Sequence, residues 1–338
     1  MRNVGLVAIL LAAAGNGTAE EPAVPPKVSM ERGLRWLAQE QDATTGGWRN
    51  DPRVKDPDPV STALAVLAFV GAGCSPWPEE GEDKTFSENL RLGVSALARM
   101  QGEDGCIGDW HSHALATAAL AEVYRYSRRE EVLPSARKAV AYLEKSRVAG
   151  AGWKIETNTI FGLLALNSAR KAGLEFDAKA EAEARAWLLS SVDPKTGAAK
   201  SFDPKFKHLD HSSRLMCAAG VYLACHWAGT AEEDKAARTA LVFIGLKPPP
   251  RSLSDGMYDW FFGAVAMSCY GRETFEKWLE AAGAEFAKIQ DPPRLKRLDG
   301  STEAFGPIPG HVGRVAGTAV MLLTSQVVER RARALGVR

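Results

Sequence analysis

Long apolar runs are almost missing from this chain. The main one, Val4–Ala14, has 11 residues and falls short of a bilayer span. Charge of one sign is missing too. Lys plus Arg is 42 and Asp plus Glu is 41, which gives no electrostatic footprint for nucleic acid or another polyanion. Cysteine is scarce: Cys74, Cys106, Cys217, Cys225 and Cys269 are odd in number and irregular in spacing, which argues against a disulfide framework. Cys217 and Cys225 lie eight apart on one predicted helix, a rise of roughly 12 Å, too far to bridge. They read as small buried hydrophobes. The chain also has no Gly-rich phosphate loop, no Gly-X-Ser-X-Gly elbow and no Cys-X-X-Cys pair.

What is present begins with an export signal. Arg2 supplies the positive start, Val4–Ala14 the apolar stretch, and Gly17, Thr18 and Ala19 the small residues of a cleavage site. The expectation is a signal peptide over residues 1–19, cleaved to release a periplasmic or secreted protein. An uncleaved anchor is the alternative. No Cys follows the apolar run, so the lipoprotein signature is absent. Residues 20–27 form a Pro-rich tether, 28–330 one domain and 331–338 a basic tail. No integral membrane segment is expected once the signal is removed.

The domain alternates two kinds of helix. One kind is amphipathic: Val28–Gln41, Thr85–Gln101, Glu130–Arg147, Ala178–Ser191, Glu233–Gly245 and Arg272–Gln290. Ala136, Val140 and Leu143 lie opposite Arg137, Lys138, Glu144 and Lys145, as helical periodicity requires. The other kind is apolar nearly all round: Val60–Gly71, His113–Tyr126, Thr157–Gly173, Ser212–Trp227, Met257–Tyr270 and Val312–Val328. Helices apolar on every side are buried on several sides. Strict alternation with short loops predicts an inner ring of helices wrapped by an outer ring, antiparallel within each hairpin.

The hairpins are copies of one unit. The first copy is complete: Arg32-Gly33, Trp36-Leu37, Gln41, then Gly46-Gly47-Trp48. Leu97, Gln101 and Gly105 form the second, and Tyr142-Leu143 with Gly152-Trp153 the third. Trp36, Tyr142 and Trp187 take equivalent outer-helix positions. This pattern resembles the QW motif of squalene and oxidosqualene cyclases, and the prenyltransferase and squalene-oxidase repeat generally. The resemblance covers about Val28 to Arg330 and is nearest to exported bacterial repeat proteins of that type. It implies an all-α, (α/α)6 toroid of about six helix hairpins with one central cavity.

The catalytic motifs of those relatives are incomplete here. Squalene cyclases protonate substrate from an Asp-X-Asp-Asp motif, and Asp56-Pro57-Asp58-Pro59 lacks the paired second acid. Protein prenyltransferases hold zinc through Asp, Cys and His. Asp255-Gly256-Met257-Tyr258 is similar to their Asp-Gly-Cys-Tyr segment, but Met replaces the Cys, and thioether is a poor zinc ligand. The later His falls near Arg314, with His311 close by. The thioester stretch of complement-like toroids is absent.

In such a ring the inner helices all start at one rim. His111, His113, His208, His211 and His311 lie at or just before those starts, with Asp58, Asp109, Glu156, Asp210, Asp255 and Asp259. Three readings follow. The acids cap free helix N–H groups. Alternatively His111, His113, Asp210, His211 and His311 bind a metal, with zinc as the candidate cofactor. Or Asp255, Asp259 and His113 act as catalytic acid and base. Aromatics beside them, Trp110, Phe161, Tyr258, Trp260 and Phe261, with Glu156, are candidate ligand-binding residues; core packing is the other explanation.

The leading functional expectation is a cavity that binds an apolar or isoprenoid-like ligand, or a protein partner, without the relatives' catalysis. The alternative is an enzyme, either a glycan lyase or hydrolase or a divergent terpene cyclase, using rim Asp and His residues. The repeat itself gives a test. Trp36→Ala is expected to destabilise by about 3–5 kcal/mol. A melting temperature unchanged from the parent would contradict the repeat assignment.

Overall fold

The computed structural model describes residues 29–51, 53–200, 211–246, 256–269 and 313–328, with scattered positions between 273 and 301. Five hairpins run in order: α1 (Met30–Gln39) with α2 (Pro59–Gly71), α3 (Ser87–Met100) with α4 (Trp110–Ser127), α5 (Leu133–Lys145) with α6 (Glu156–Ala172), α7 (Ala178–Ser190) with α8 (His211–Ala228), and α9 (Ala231–Gly245) with α10 (Met257–Ser268). A final inner helix, α11 (Arg314–Val328), follows. No strand occurs among the described residues, only two isolated bridges in outer-to-inner loops. No described helix is long and apolar enough to cross a membrane. The signal, tether and basic tail lie outside the described residues.

The even-numbered helices and α11 form the inner ring. Each packs on the next: α2 on α4, α4 on α6, α6 on α8, α8 on α10, α10 on α11 and α11 back on α2. The ring therefore closes. Its helices are buried as their composition requires. Every residue of α2 from Val60 to Gly71 is buried. The outer helices bury one stripe each, as α5 does with Ala136, Ala139, Val140 and Leu143.

A repeated lock sets the height of the inner helices α2, α4 and α6. In the first copy the Trp48 indole donates to Leu37 O of α1 (2.6 Å). The Gln41 amide donates to Gly46 O (2.7 Å) and to Asn89 O of the next hairpin (2.8 Å). In the third copy Trp153 donates to Leu143 O (2.9 Å), and in the second Gln101 donates to Gly105 O (3.1 Å) and Ser135 O (3.0 Å). Gly46 and Gly105 have φ of 71° and 96°, which a side chain would strain. The backbone N–H of the turn then reaches the fourth residue of the inner helix. Trp48 N–H donates to Thr62 Oγ1 (3.0 Å) and Trp153 N–H to Thr159 Oγ1 (3.0 Å).

His113 fills the same place in the second copy. Its Nδ1 accepts from Ile107 N–H (3.2 Å) and its Nε2 lies 3.0 Å from Ala139 O. Those partners require the tautomer with hydrogen on Nε2. The side chain is fully buried, and burial pushes its pKa down to about 4. His113 was expected at the rim as an acid/base or metal ligand. The structure turns it between α4 and α5, with both ring nitrogens engaged by backbone.

Polar contacts of long sequence separation close the ring. The Gln326 amide of α11 donates to Ala68 O of α2 (2.8 Å). A Cβ on Gly71 would run into Gln326 Oε1, so glycine makes room for that side chain. The Gln290 side chain donates to Ser29 O (3.0 Å) and accepts from Ser29 N–H (2.7 Å). Gly313 N–H donates to Asn50 Oδ1.

Two predictions follow. Gln326→Ala removes a buried partner and is expected to cost about 1–3 kcal/mol in chemical denaturation. An unaltered midpoint would contradict the clasp. For His113, the folded pKa near 4 lies below the ordinary value of 6.5. As pH falls through 6.5 the unfolded chain takes up a proton that the folded chain refuses. Stability is therefore lost between pH 6.5 and 4, by up to about 3 kcal/mol, and is intact above 6.5. His113→Thr, which installs the residue used by the other copies, should flatten that acid limb. An identical acid limb in the variant would show that His113 does not set it.

Candidate functional site

The inner helices start at one rim, and most acids there serve the helices themselves. Asp58 accepts from Ser61 N–H (2.8 Å) and Ser61 Oγ–H (2.7 Å), capping α2. Asp109 does the same for α4 through Ser112 N–H (2.9 Å) and Oγ–H (2.7 Å). Both are N-caps of the usual kind. Asp259, in the first turn of α10, is 2% exposed, and its Oδ1 accepts from Met216 N–H of α8 (2.8 Å). It thus ties two neighbouring inner helices. Glu156 differs. It opens α6, is half-buried, and its carboxylate has no hydrogen bond among the described residues.

The Cys217 thiol of α8 lies within electrostatic reach of Glu156 and Asp259. Burial, then both carboxylates, push its pKa up to about 12. It is protonated at neutral pH and is not an activated nucleophile. Its closeness to two acids was not legible in the sequence, where it read only as a buried hydrophobe.

The ring axis at this level carries aromatic side chains. His111 of α4, Phe161 of α6 and Tyr258 of α10 form a triangle of edge contacts with centroids 4.7, 4.8 and 5.4 Å apart. Phe262 extends it, 5.6 Å from Phe161. Helices α4 and α10 stand three places apart in a ring of six, so His111 and Tyr258 meet across its axis. His111, Glu156 and Tyr258 are half-buried, whereas Phe161 is 2% exposed and Phe262 is fully buried. This axial cluster, half-buried at His111, Glu156 and Tyr258 and buried at Phe161 and Phe262, is termed the funnel.

Helical geometry decides which of the expected aromatics reach it. Tyr258 and Phe262 are four apart and share a face. Trp260, two residues from Tyr258, points the other way and meets Trp278 (6.1 Å, edge-on) between the two rings. Tyr258, Trp260 and Phe261 cannot all point at one axis from one helix, so the expectation for Trp260 is corrected. Phe261 is 6% exposed and packs edge-on against Phe262 (5.5 Å). Trp110 stacks on Trp153 of the next turn (5.4 Å, 23°).

Two polar atoms here are buried without a hydrogen-bond partner among the described residues: Tyr258 Oη and Trp110 Nε1. Burial holds the Tyr258 phenol protonated, reinforced by Asp58 and Asp109. Both atoms are therefore hydrogen-bond donors. Among the described residues no group of three or more His, Cys, Asp and Glu is placed to hold a metal. Asp210, Asp255 and His311, and the side chain of His211, lie outside the described residues.

No family model matches the chain, and neither does any curated protein. Solved structures do. An α-1,6-mannanase from a Salegentibacter species aligns with a TM-score of 0.60 at 10% identity, over 89% of this chain and 98% of its own. A cellobiose 2-epimerase from Bacillus thermoamylovorans gives 0.60 at 13% identity, over 89% and 98%. A type II terpene cyclase from Scytonema, solved with geranylgeranyl dihydroxybenzoate, gives 0.59 at 13% identity, over 89% and 96%. At such identities the shared property is the fold, and by that fold the chain is an α/α toroid.

Proposed function

We propose that the funnel is a binding site for an apolar, isoprenoid-like molecule with an oxygen at one end, held without the acid chemistry of terpene cyclases. The carrying observation is the buried Tyr258 hydroxyl above a floor of Phe161 and Phe262, with no hydrogen-bond partner among the described residues. Leaving such a donor unmet costs about 1–3 kcal/mol, and a ligand oxygen would recover it. Asp58 and Asp109 are committed to helix caps, which supports binding over proton transfer. A protein segment is the other occupant of the same reading. Val54, Val148 and Ile155, exposed on the outer-to-inner loops, would give it an apolar landing.

The proposed setting is periplasmic or extracellular, reached by cleavage of the signal. One observation favours an enzyme as second reading. Glu156 is a rim carboxylate with no capping bond, and it and the buried Asp259 both lie within electrostatic reach of Cys217. A half-buried acid beside a buried one suits glycan hydrolysis or lysis, where two carboxyl groups share the work. A third rests on zinc at His111, His211 and their neighbours.

Native mass spectrometry and metal analysis of the mature chain, followed by titration with farnesol and geranylgeraniol, separate these. The binding reading expects a co-purified lipid or saturable alcohol binding, weakened about tenfold by Tyr258→Phe or Phe161→Ala. No saturable binding, together with glycan turnover lost in Glu156→Gln, would replace it with the enzyme. Zinc near one per chain, lost in His111→Ala or His211→Ala, would do the same for the metal site.

A further inference from the structure

A second cleft opens at the other end of the ring, where α2 and α4 finish. It encloses about 370 Å³, at the lower end of the range of small-molecule sites, roughly 300–1,000 Å³. One wall is the insertion after α2, with Trp77, Glu79 and Glu82. The other is the end of α4, with Tyr126, Arg128 and Arg129. It shares no residue with the funnel.

Its chemistry is specific in what it disfavours. Two helix C-termini and two glutamates make the cleft hostile to an anion. Two arginines make it hostile to a cation. No ion pair joins Arg129 to Glu79 or Glu82 among the described residues, so acceptors on one wall and donors on the other remain apart. Arg128 turns instead to Ala172 O (2.7 Å), and Glu82 accepts from Glu79 N–H (2.9 Å). Tyr126 is 44% exposed at the end of a buried helix, with the Arg125 guanidinium 4.9 Å from its ring centroid. Arg129 lies over the Trp77 ring at 5.9 Å, a loose contact that a ligand can replace.

A neutral ligand bearing many hydroxyls answers every one of these features. Each hydroxyl both donates and accepts, so it can bridge a carboxylate wall and a guanidinium wall. The C–H face of a pyranose ring covers an indole or phenol as an apolar surface does. The geometry points to a saccharide-binding site in this cleft, taking one or two sugar units, with Trp77 and Tyr126 as stacking platforms and Glu82 and Arg129 as hydroxyl partners.

The test is calorimetric titration of the mature protein with cellobiose, maltotriose and α-1,6-mannobiose. Saturable binding of at least one is expected, little changed between low salt and about 0.5 M, because no net charge drives it. Tyr126→Ala, at an exposed position, should weaken it about tenfold or more while the melting temperature holds. Glu82→Gln should weaken it less. Trp77→Ala is the stronger disruption, provided that it folds. No saturable binding of any of the three would overturn the assignment. So would binding that survives Tyr126→Ala and is lost in Tyr258→Phe, which would move the sugar to the funnel, or binding that salt abolishes, which would mark an ionic ligand.

Discussion

The structure depends on one hydrogen bond made three times: from a loop amide to the fourth residue of the inner helix that follows. Trp48, Ile107 and Trp153 donate, and Thr62, His113 and Thr159 accept. A ring of parallel helices could slide one helix along another, because apolar faces grip without fixing height. A directional bond between turn and helix removes that freedom. The tryptophan indoles and glutamine amides anchor the same turns to the outer helices and to the next hairpin. With the helix starts held level, side chains from α4, α6 and α10 meet on one axis, and the funnel exists.

Closure adds the second constraint. An open arc of hairpins would leave the flanks of α2 and α11 exposed. The buried Gln326 amide binds α2 only in the closed ring, and Gly71 is the residue that admits it. The closed ring also has two chemically different ends. Helix starts bring capping acids and aromatic donors to the funnel. Helix ends bring arginines, and the insertion after α2 brings the glutamates of the second cleft. The two ends therefore differ in the chemistry they present.

Much of this was written plainly in the sequence. The alternation of amphipathic and apolar helices placed the helices closely. Val60–Gly71 became Pro59–Gly71, and Ala178–Ser191 became Ala178–Ser190. The first repeat signature located its lock. The site was less legible, because ring residues meet through height and rotation that no local pattern carries. His113 looked like a rim residue because it stands near a helix start. Its true counterpart, Thr62, is hidden by a longer loop: 14 residues separate Trp48 from Thr62, but six separate Ile107 from His113. Trp260 sits beside Tyr258 in sequence and opposite it on the helix. Trp77 carried no signal beyond its place next to an acidic insertion.

Amide hydrogen exchange at Trp48, Ile107 and Trp153 tests the central claim most directly. These amides lie in loops, where exchange is ordinarily fast. The account predicts protection comparable to that of the inner-helix amides, because each is buried and bonded to a core helix. Loop-like exchange at all three would show that the turns do not hold the inner helices, and the ring would need another source of register.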